Sequence, residues 1–379
     1  MSYLDYNLTT VPTGWRKILY VSWPLVFLLT AVASVGFLML FSVAGGSLQP
    51  WAEPQMKRFV VGMCGMLAIG FVPIWYWRNL SIFGYLGAFV LLVAVEFFGI
   101  VGMGAQRWID IGPVSLQPSE LMKIGLVVFL AAYYDWLDVK KVSHPLWVAI
   151  PAMLILAPTY LVLKQPDLGT AILLLAGGGA VMFAAGVSFW YFGTVVALIV
   201  ALVFAVVESR GTGWQLIEDY QYRRIDIFLD PGSDPLGSGY NITQAKIALG
   251  SGGWGGKGYM QGTQSQLNFL PEKHTDFIFT TLAEEFGFVG AFSLLGLYAL
   301  IVGFCFLSAV GNKDRFSALL TYGVSTTFFL FFSVNMGMVM GLLPVVGVPL
   351  PLVSYGGTAM IILLAAFGLV QSAHIHRPR

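Results

Sequence analysis

The chain has 379 residues, 57% of them hydrophobic and only 10% charged, with a net charge of +1. Soluble globular chains carry about 25% charged residues, so this one cannot cover a water-facing surface of its own size, and its balanced charge excludes a global field that would draw nucleic acid. Mean hydropathy is +0.79 and the apolar runs have helix length rather than barrel-strand length, which describes an integral membrane protein.

In chain order, residues 1–15 are polar, and the first apolar run is already long enough to span, so no cleavable leader is expected. Ten spans are predicted, at 19–43, 58–77, 80–103, 119–137, 144–164, 167–186, 189–208, 276–309, 316–343 and 352–373. The expected fold class is an all-α polytopic membrane protein, a single transmembrane domain over 1–379. Placing the N-terminus in the cytoplasm gathers Arg16, Lys17, Arg78, Lys140, Lys141, Lys313, Arg315, Arg377 and Arg379 on one side, in short connections where the positive-inside rule applies. Ten spans return the C-terminus to that side. Lys57, Arg58, Arg107, Lys123, Lys164 and six further cations of 209–275 fall on the outer side and need another reason to be there. The long outer connection, 209–275 between spans seven and eight, lacks the periodicity of an independent domain. It is expected to fold against the helix ends, with 242–249 (ITQAKIAL) as a short interfacial helix. Cys64 and Cys305 lie inside apolar runs and read as packing residues. His144, His274, His374 and His376 show no metal-ligand spacing with them.

Four outer clusters hold ionisable groups, which are costly near lipid and are functional candidates by default. In QRWIDIGPVSLQPSELMK (106–123), Ser119 reads as an N-cap. Glu120 and Lys123, three apart, can pair on one helix face, either to fix packing or to serve a site. In LKQPDLGT (163–170), Asp167 complements a helix N-terminus, and capping alone would account for it. The third cluster runs through YQYRRIDIFLDPGSDPLGSGYNITQ (220–244) to GSGGWGGKGYMQGTQ (250–264). GSGGWG matches G-x-G-x-x-G, but no strand precedes it and no crossover unit surrounds it. The stretch reads either as a turn whose backbone N–H groups and Lys257 hold an anion or as a plain glycine-rich loop. In the fourth, PEKHTDFIFTTLAEE (271–285), Thr275 or Asp276 could cap the eighth span. Glu284 and Glu285 would lie roughly 80° and 180° round the helix from Asp276, and could pair with a Lys or Arg from elsewhere. Taken together, cations from several outer loops surround a carboxylate at the lipid–water boundary. Such a cleft suits a substrate with a phosphate head and a lipid tail, and the carboxylate could act as a general base. The glycine-rich AGGGA (176–180) permits close helix contact or a groove.

These stretches, with QPDLGTA, GTQSQLNFLPEKHTDF, LAEEFG and GLLPVVGVPLPLVSYGG, resemble the SEDS family (shape, elongation, division and sporulation), and within it the RodA branch of the elongation machinery rather than FtsW. The resemblance covers nearly the whole chain. It implies a multi-pass bacterial cytoplasmic (inner) membrane enzyme that polymerises lipid II into β-1,4 glycan strands on the outer face, releasing undecaprenyl pyrophosphate. It implies Asp276 as the essential catalytic residue, acting as general base. Arg107, Glu120, Lys123, Asp167, Arg224, Lys257, Gln264, Lys273, His274 and Ser354 are then the expected substrate-binding residues. No closed metal site is visible, and a divalent cation such as Mg2+ or Mn2+ could share the phosphate role. The implied partners are a class B penicillin-binding protein, other elongation-complex membrane proteins and membrane lipid, without nucleic acid. A lipid II flippase and a non-catalytic scaffold stand as alternatives. Ionisable groups at the outer face rather than the midplane favour the enzyme.

Overall fold

In the computed structural model, residues 14–377 are described except 103–104, 112–113, 231, 233, 235–237, 268 and 271. Ten long helices answer the ten predicted spans: α1 (Trp23–Val43), α2 (Ala52–Phe71), α3 (Ile74–Phe98), α4 (Pro118–Trp136), α5 (Pro145–Lys164), α6 (Leu168–Ala184) and α7 (Phe189–Ser209), then α11 (Ile278–Val310), α12 (Arg315–Val339) and α13 (Thr358–Ile375). Between them the outer connection forms α8 (Asp219–Leu229), α9 (Ser238–Ser251) and the single turn α10 (Thr263–Gln266). Seven of the ten are long and apolar enough to cross a membrane on length and composition alone. Of the rest, α6 has 17 residues, while α2 and α4 carry charged residues in their outer turns.

The structure departs from the sequence expectation at two helix starts, in a small sheet and in one non-helical segment, each for a physical reason. Helices α2 and α3 begin six residues earlier than predicted, because hydropathy discounts the polar first turns of α2 and because Pro73 sits at the N-cap of α3. The all-α expectation misses a small antiparallel sheet after α3, β1 (Ile100–Gly102), β2 (Ala105–Ile111) and β3 (Val114–Leu116), in the order β1-β2-β3. Gly99 leaves the helix with extended dihedrals, and Ile100 then pairs with Trp108, Ile109 with Leu116. Finally, 340–357 is not helical. Pro344, Pro349 and Pro351 lack the amide hydrogen that a helix interior needs, so the chain crosses the outer end of the bundle as an irregular segment in which Val348, Leu350, Leu352, Val353 and Ser354 are buried.

The most extensive helix pairs are α13 along α2 and α3 along α4, and α12 packs centrally on α4, α6 and α11. AGGGA serves packing: a methyl group at Gly178 would lie 2.7 Å from Ile155 of α5, and one at Gly177 would lie 3.1 Å from Thr327 of α12. Helix α7 differs from all the others, burying only Ser209. The 242–249 segment is helical, as expected, but as part of α9 it packs on α11 and α12, with Ile242, Ala245 and Ala248 buried.

Candidate active site

The stretch 272–277 runs beside the irregular segment and is fastened to it by polar contacts. Ser354 Oγ donates to the Thr275 carbonyl at 2.6 Å and accepts from the Leu350 amide at 2.8 Å. The Tyr355 amide donates to the His274 carbonyl at 2.9 Å. Asn335, a lone amide near the outer end of α12, donates through Nδ2 to the carbonyls of Asp276 (2.9 Å) and Val348 (2.7 Å). From α2, Gln55 donates to the Ser354 carbonyl at 2.8 Å, and the Trp51 ring stacks on His274 at 4.6 Å.

Asp276 does not cap α11. The N-cap is Phe277, without a side-chain cap bond, and among the described residues no donor reaches the Asp276 carboxylate. A methyl group at Gly347 would lie 3.8 Å from Oδ2, so the carboxylate faces a gap left by a glycine. Burial raises its pKa from 3.8 to about 6, helped by the charge of Glu272. It is therefore mostly ionised at neutral pH, yet a far better proton acceptor than an ordinary aspartate. Burial also lowers the pKa of His274, whose ring lies against Trp51 and Tyr355.

The other predicted residues sort by what they touch. Glu120 and Lys123 pair at 2.6 Å and are both buried, with the Lys123 ammonium 3.9 Å from the Phe331 ring centre. They line one end of an apolar cleft between α4, α12, α13 and residues 349–356. The cleft holds about 660 Å³ of empty space, part of it open to the outside, and Ser354 and Gly356 also line it. It runs inward past Val127, Val324 and Ala366, two turns deeper. Ser119 is not the N-cap of α4. Gln117 holds that position, Pro118 fills the first turn, and the Ser119 hydroxyl is buried without a partner. Asp167 caps α6, accepting from the Thr170 amide at 3.1 Å and from Gln117 at 3.2 Å. Arg107 donates to the carbonyls of Gln165 (2.9 Å) and Pro166, tying β2 to the α5–α6 turn. Arg224 lies in α8, and its side chain falls outside the described residues.

Lys257, Gln264 and Lys273 belong to a second cluster. Lys257 donates to Glu284 at 2.7 Å and to Thr263 at 2.8 Å. The Gln264 amide donates to the same carboxylate at 3.1 Å, and Lys273, buried, donates to the Ser265 carbonyl at 2.6 Å. Burial lowers the Lys273 pKa. Glu285 accepts from Ser42 at the outer end of α1. The glycine-rich loop is a splint rather than an open nest. Helix α11 is broken at Gly287, with φ +64° and ψ −160°, which frees backbone groups on both sides of the break. The Lys257 and Gly258 amides donate to the Glu284 and Glu285 carbonyls, both at 3.0 Å, while the Phe288 and Val289 amides donate to Gly253 (2.8 Å) and Trp254 (3.2 Å). The loop thus supplies the partners that the broken helix lacks.

The sequence reading passed over Asn335, Trp51 and Gln55, and noted Arg58 only as an outer cation in need of a reason, without a site role. Asn335 had a signal, since a lone amide inside an apolar span needs a partner. The other three follow only from how α2 meets the irregular segment. Among the described residues no three His, Cys, Asp or Glu side chains converge as metal ligands.

The family model for FtsW, RodA and SpoVE, described as cell cycle proteins, matches residues 20–379. The chain belongs to this family. Among its members, the Escherichia coli (strain K12) peptidoglycan glycosyltransferase MrdB is 41% identical, over 96% of each chain. The probable peptidoglycan glycosyltransferase FtsW of Pseudomonas fluorescens (strain SBW25) is 35% identical, over 83% of this chain and 77% of its own. Of solved structures, a chain of a peptidoglycan synthase complex that coordinates polymerization and crosslinking superposes with a TM-score of 0.81 at 32% identity, covering 93% of this chain and 97% of that one. The Thermus thermophilus rod shape determining protein RodA superposes at 0.69 with 29% identity, covering 94% and 97%.

Proposed function

We propose that the chain is the peptidoglycan glycosyltransferase of an elongation complex in the bacterial inner membrane, and that it polymerises lipid II with Asp276 as general base. The observation that carries the assignment of the base is the half-buried, uncapped carboxylate of Asp276. It stands one residue from a carbonyl held by Ser354, which itself lines the apolar cleft. The cleft takes the polyprenyl tail, and Lys123, held by Glu120, meets the pyrophosphate at its outer end. Asp276 takes the proton from the 4-hydroxyl of the acceptor sugar as that oxygen attacks the anomeric carbon of the donor. The bond to undecaprenyl pyrophosphate breaks, and the anomeric centre inverts. Base help of this kind contributes about 10²–10⁴-fold, and holding two lipids in one place supplies more, up to roughly 7–11 kcal/mol. In this reading Lys257, Gln264 and Lys273 position the loop, Arg107 and Asp167 fix the neighbouring helix end, and Lys123 carries the electrostatic role. A divalent cation such as Mg2+ or Mn2+ would supply further neutralisation of the pyrophosphate charge; among the described residues no carboxylate or imidazole cluster would hold it. A class B penicillin-binding protein is the partner we assign, supported by the structural neighbour from a synthase complex.

The test uses the purified chain with its class B partner, fluorescent lipid II, and moenomycin to silence other polymerases, with and without EDTA. Glycan polymer from wild type and at least about 100-fold less from folded Asp276→Asn is the expected result. Equal polymer from both removes Asp276 from the chemistry. No polymer from either, with the complex confirmed and Mg2+ or Mn2+ supplied, favours the flippase or scaffold.

A further inference from the structure

A polymerase that joins two lipid-linked molecules must hold two pyrophosphate heads, and the cleft with Lys123 accounts for one. No residue of α1 or α2 lines that cleft. On the other side of 354–356, helix α2 presents a second polar face: Trp51, Gln55 and Arg58 follow at four- and three-residue steps and so share one side of the helix. Trp51 stacks on His274. Gln55 also accepts from the Gly356 amide at 3.3 Å. The Arg58 guanidinium carbon stands over the Tyr355 ring, 5.0 Å from its centre, and the Tyr355 ring is in turn 6.3 Å from that of His274. Tyr355 itself is not among the cleft-lining residues, although both its neighbours are.

Arg58 differs from most of the other outer cations. Lys57 pairs with Glu53 at 2.6 Å, Lys123 with Glu120, Lys164 with Glu96 at 3.8 Å, Arg210 with Asp226 at 2.7 Å and Lys257 with Glu284. Arg107 and Lys273 are taken up by carbonyls. Among the described residues no acceptor reaches Arg58, and its Nη1 is shielded from solvent with no hydrogen bond at all. An unpaired buried donor on a charged group is costly to leave unmet, and a guanidinium held over an aromatic ring presents its remaining N–H groups as a fork suited to phosphate. We propose that Arg58, on its Tyr355 platform, holds the pyrophosphate of the second lipid-linked sugar, across 354–356 from Lys123. Asp276 is then flanked by one cation for each lipid. The inference rests on the polymerase reading above.

The test counts bound lipid II by native mass spectrometry in phosphatidylcholine nanodiscs, with Asp276→Asn as background so that nothing turns over. Two lipid II molecules are expected on that chain, and one after adding Arg58→Gln. Arg58→Lys keeps the charge but loses the fork, and is expected to bind the second lipid about tenfold more weakly. Two lipids at unchanged affinity on folded Arg58→Gln would overturn the proposal, and so would a single lipid on the chain that keeps Arg58. Displacement of the second lipid II by an equal amount of phosphatidylglycerol would make the site one for phospholipid headgroups, which also overturns it. Two bound lipids in a chain whose Asp276 form never polymerises would sink the reaction reading and leave the site standing.

Discussion

Asp276 is the residue at which local structure and chemistry pull apart. Its backbone carbonyl is held by Asn335 and its neighbours by Ser354 and Tyr355, yet among the described residues its carboxylate is given no donor. The site thus fixes the position of the base without stabilising its charge, and the pKa rises to about 6. The sign of the consequence for stability follows directly. An acid whose folded pKa lies above its unfolded one loses folded-state stability as pH rises from about 4 to about 6, and the full penalty remains above that. A shift of two units corresponds to about 3 kcal/mol. Asp276→Asn is therefore expected to raise the melting temperature at pH 7.5 and to change it little below pH 4. A variant no more stable than wild type at pH 7.5 would contradict the burial argument. For activity, kcat/KM should climb with pH through an apparent pKa near 6. A profile flat from pH 5 to 7 would show that another group is the base.

At the scale of elements, the glycine-rich loop and the broken helix α11 are one unit. A methyl group at Gly287 would overlap the Gly256 nitrogen and sit 2.6 Å from the Trp254 carbonyl oxygen, whereas Gly255 faces open space without an unusual φ. Gly253 has φ +56° and also faces open space. A graded series follows: Gly255→Ala near neutral, Gly253→Ala weakened by roughly 1 kcal/mol for the left-handed backbone, and Gly287→Ala weakened by more than either because strain and overlap add. Thermal unfolding in detergent measures all three, and equal effects would mean that the loop does not splint the break. This unit was only half legible in the sequence. Composition announced the spans, and Glu120–Lys123 and the Asp167 cap followed from spacing alone, because i to i+3 geometry is local. The splint was not legible, since nothing in GSGGWGGKG says that its amides answer carbonyls some thirty residues away. Arg58 was visible as an outer cation without a reason, but its role was not legible, residing in a contact with Tyr355 across the bundle. The irregular 340–357 segment had its signal in three prolines, which hydropathy counts as neutral and geometry does not.

For the whole molecule, the contacts sort into two belts. At one end Arg78 pairs with Asp135 at 2.8 Å, Arg315 donates to the Leu137 carbonyl at 2.9 Å and Gln371 meets the Ser22 backbone at 2.9 and 3.1 Å. At the other lie the sheet, α8 to α10, the 340–357 segment and Asp276. Short basic connections belong to the first belt, so that end faces the cytoplasm, and the site faces the outer leaflet. There water, sugar heads and lipid tails meet without any polar group crossing the hydrocarbon. The chain has only Cys64 and Cys305, so a cysteine-free background is two substitutions away. Trp214→Cys, in the exposed turn after α7, should react with a membrane-impermeant maleimide on intact spheroplasts. Lys313→Cys, exposed between α11 and α12, should react only after permeabilisation. The reverse pattern would put Asp276 on the cytoplasmic side, where an enzyme building wall outside the membrane has no use for it. Labelling of both sites from outside would break the even number of crossings that brings the two ends of the chain to one face.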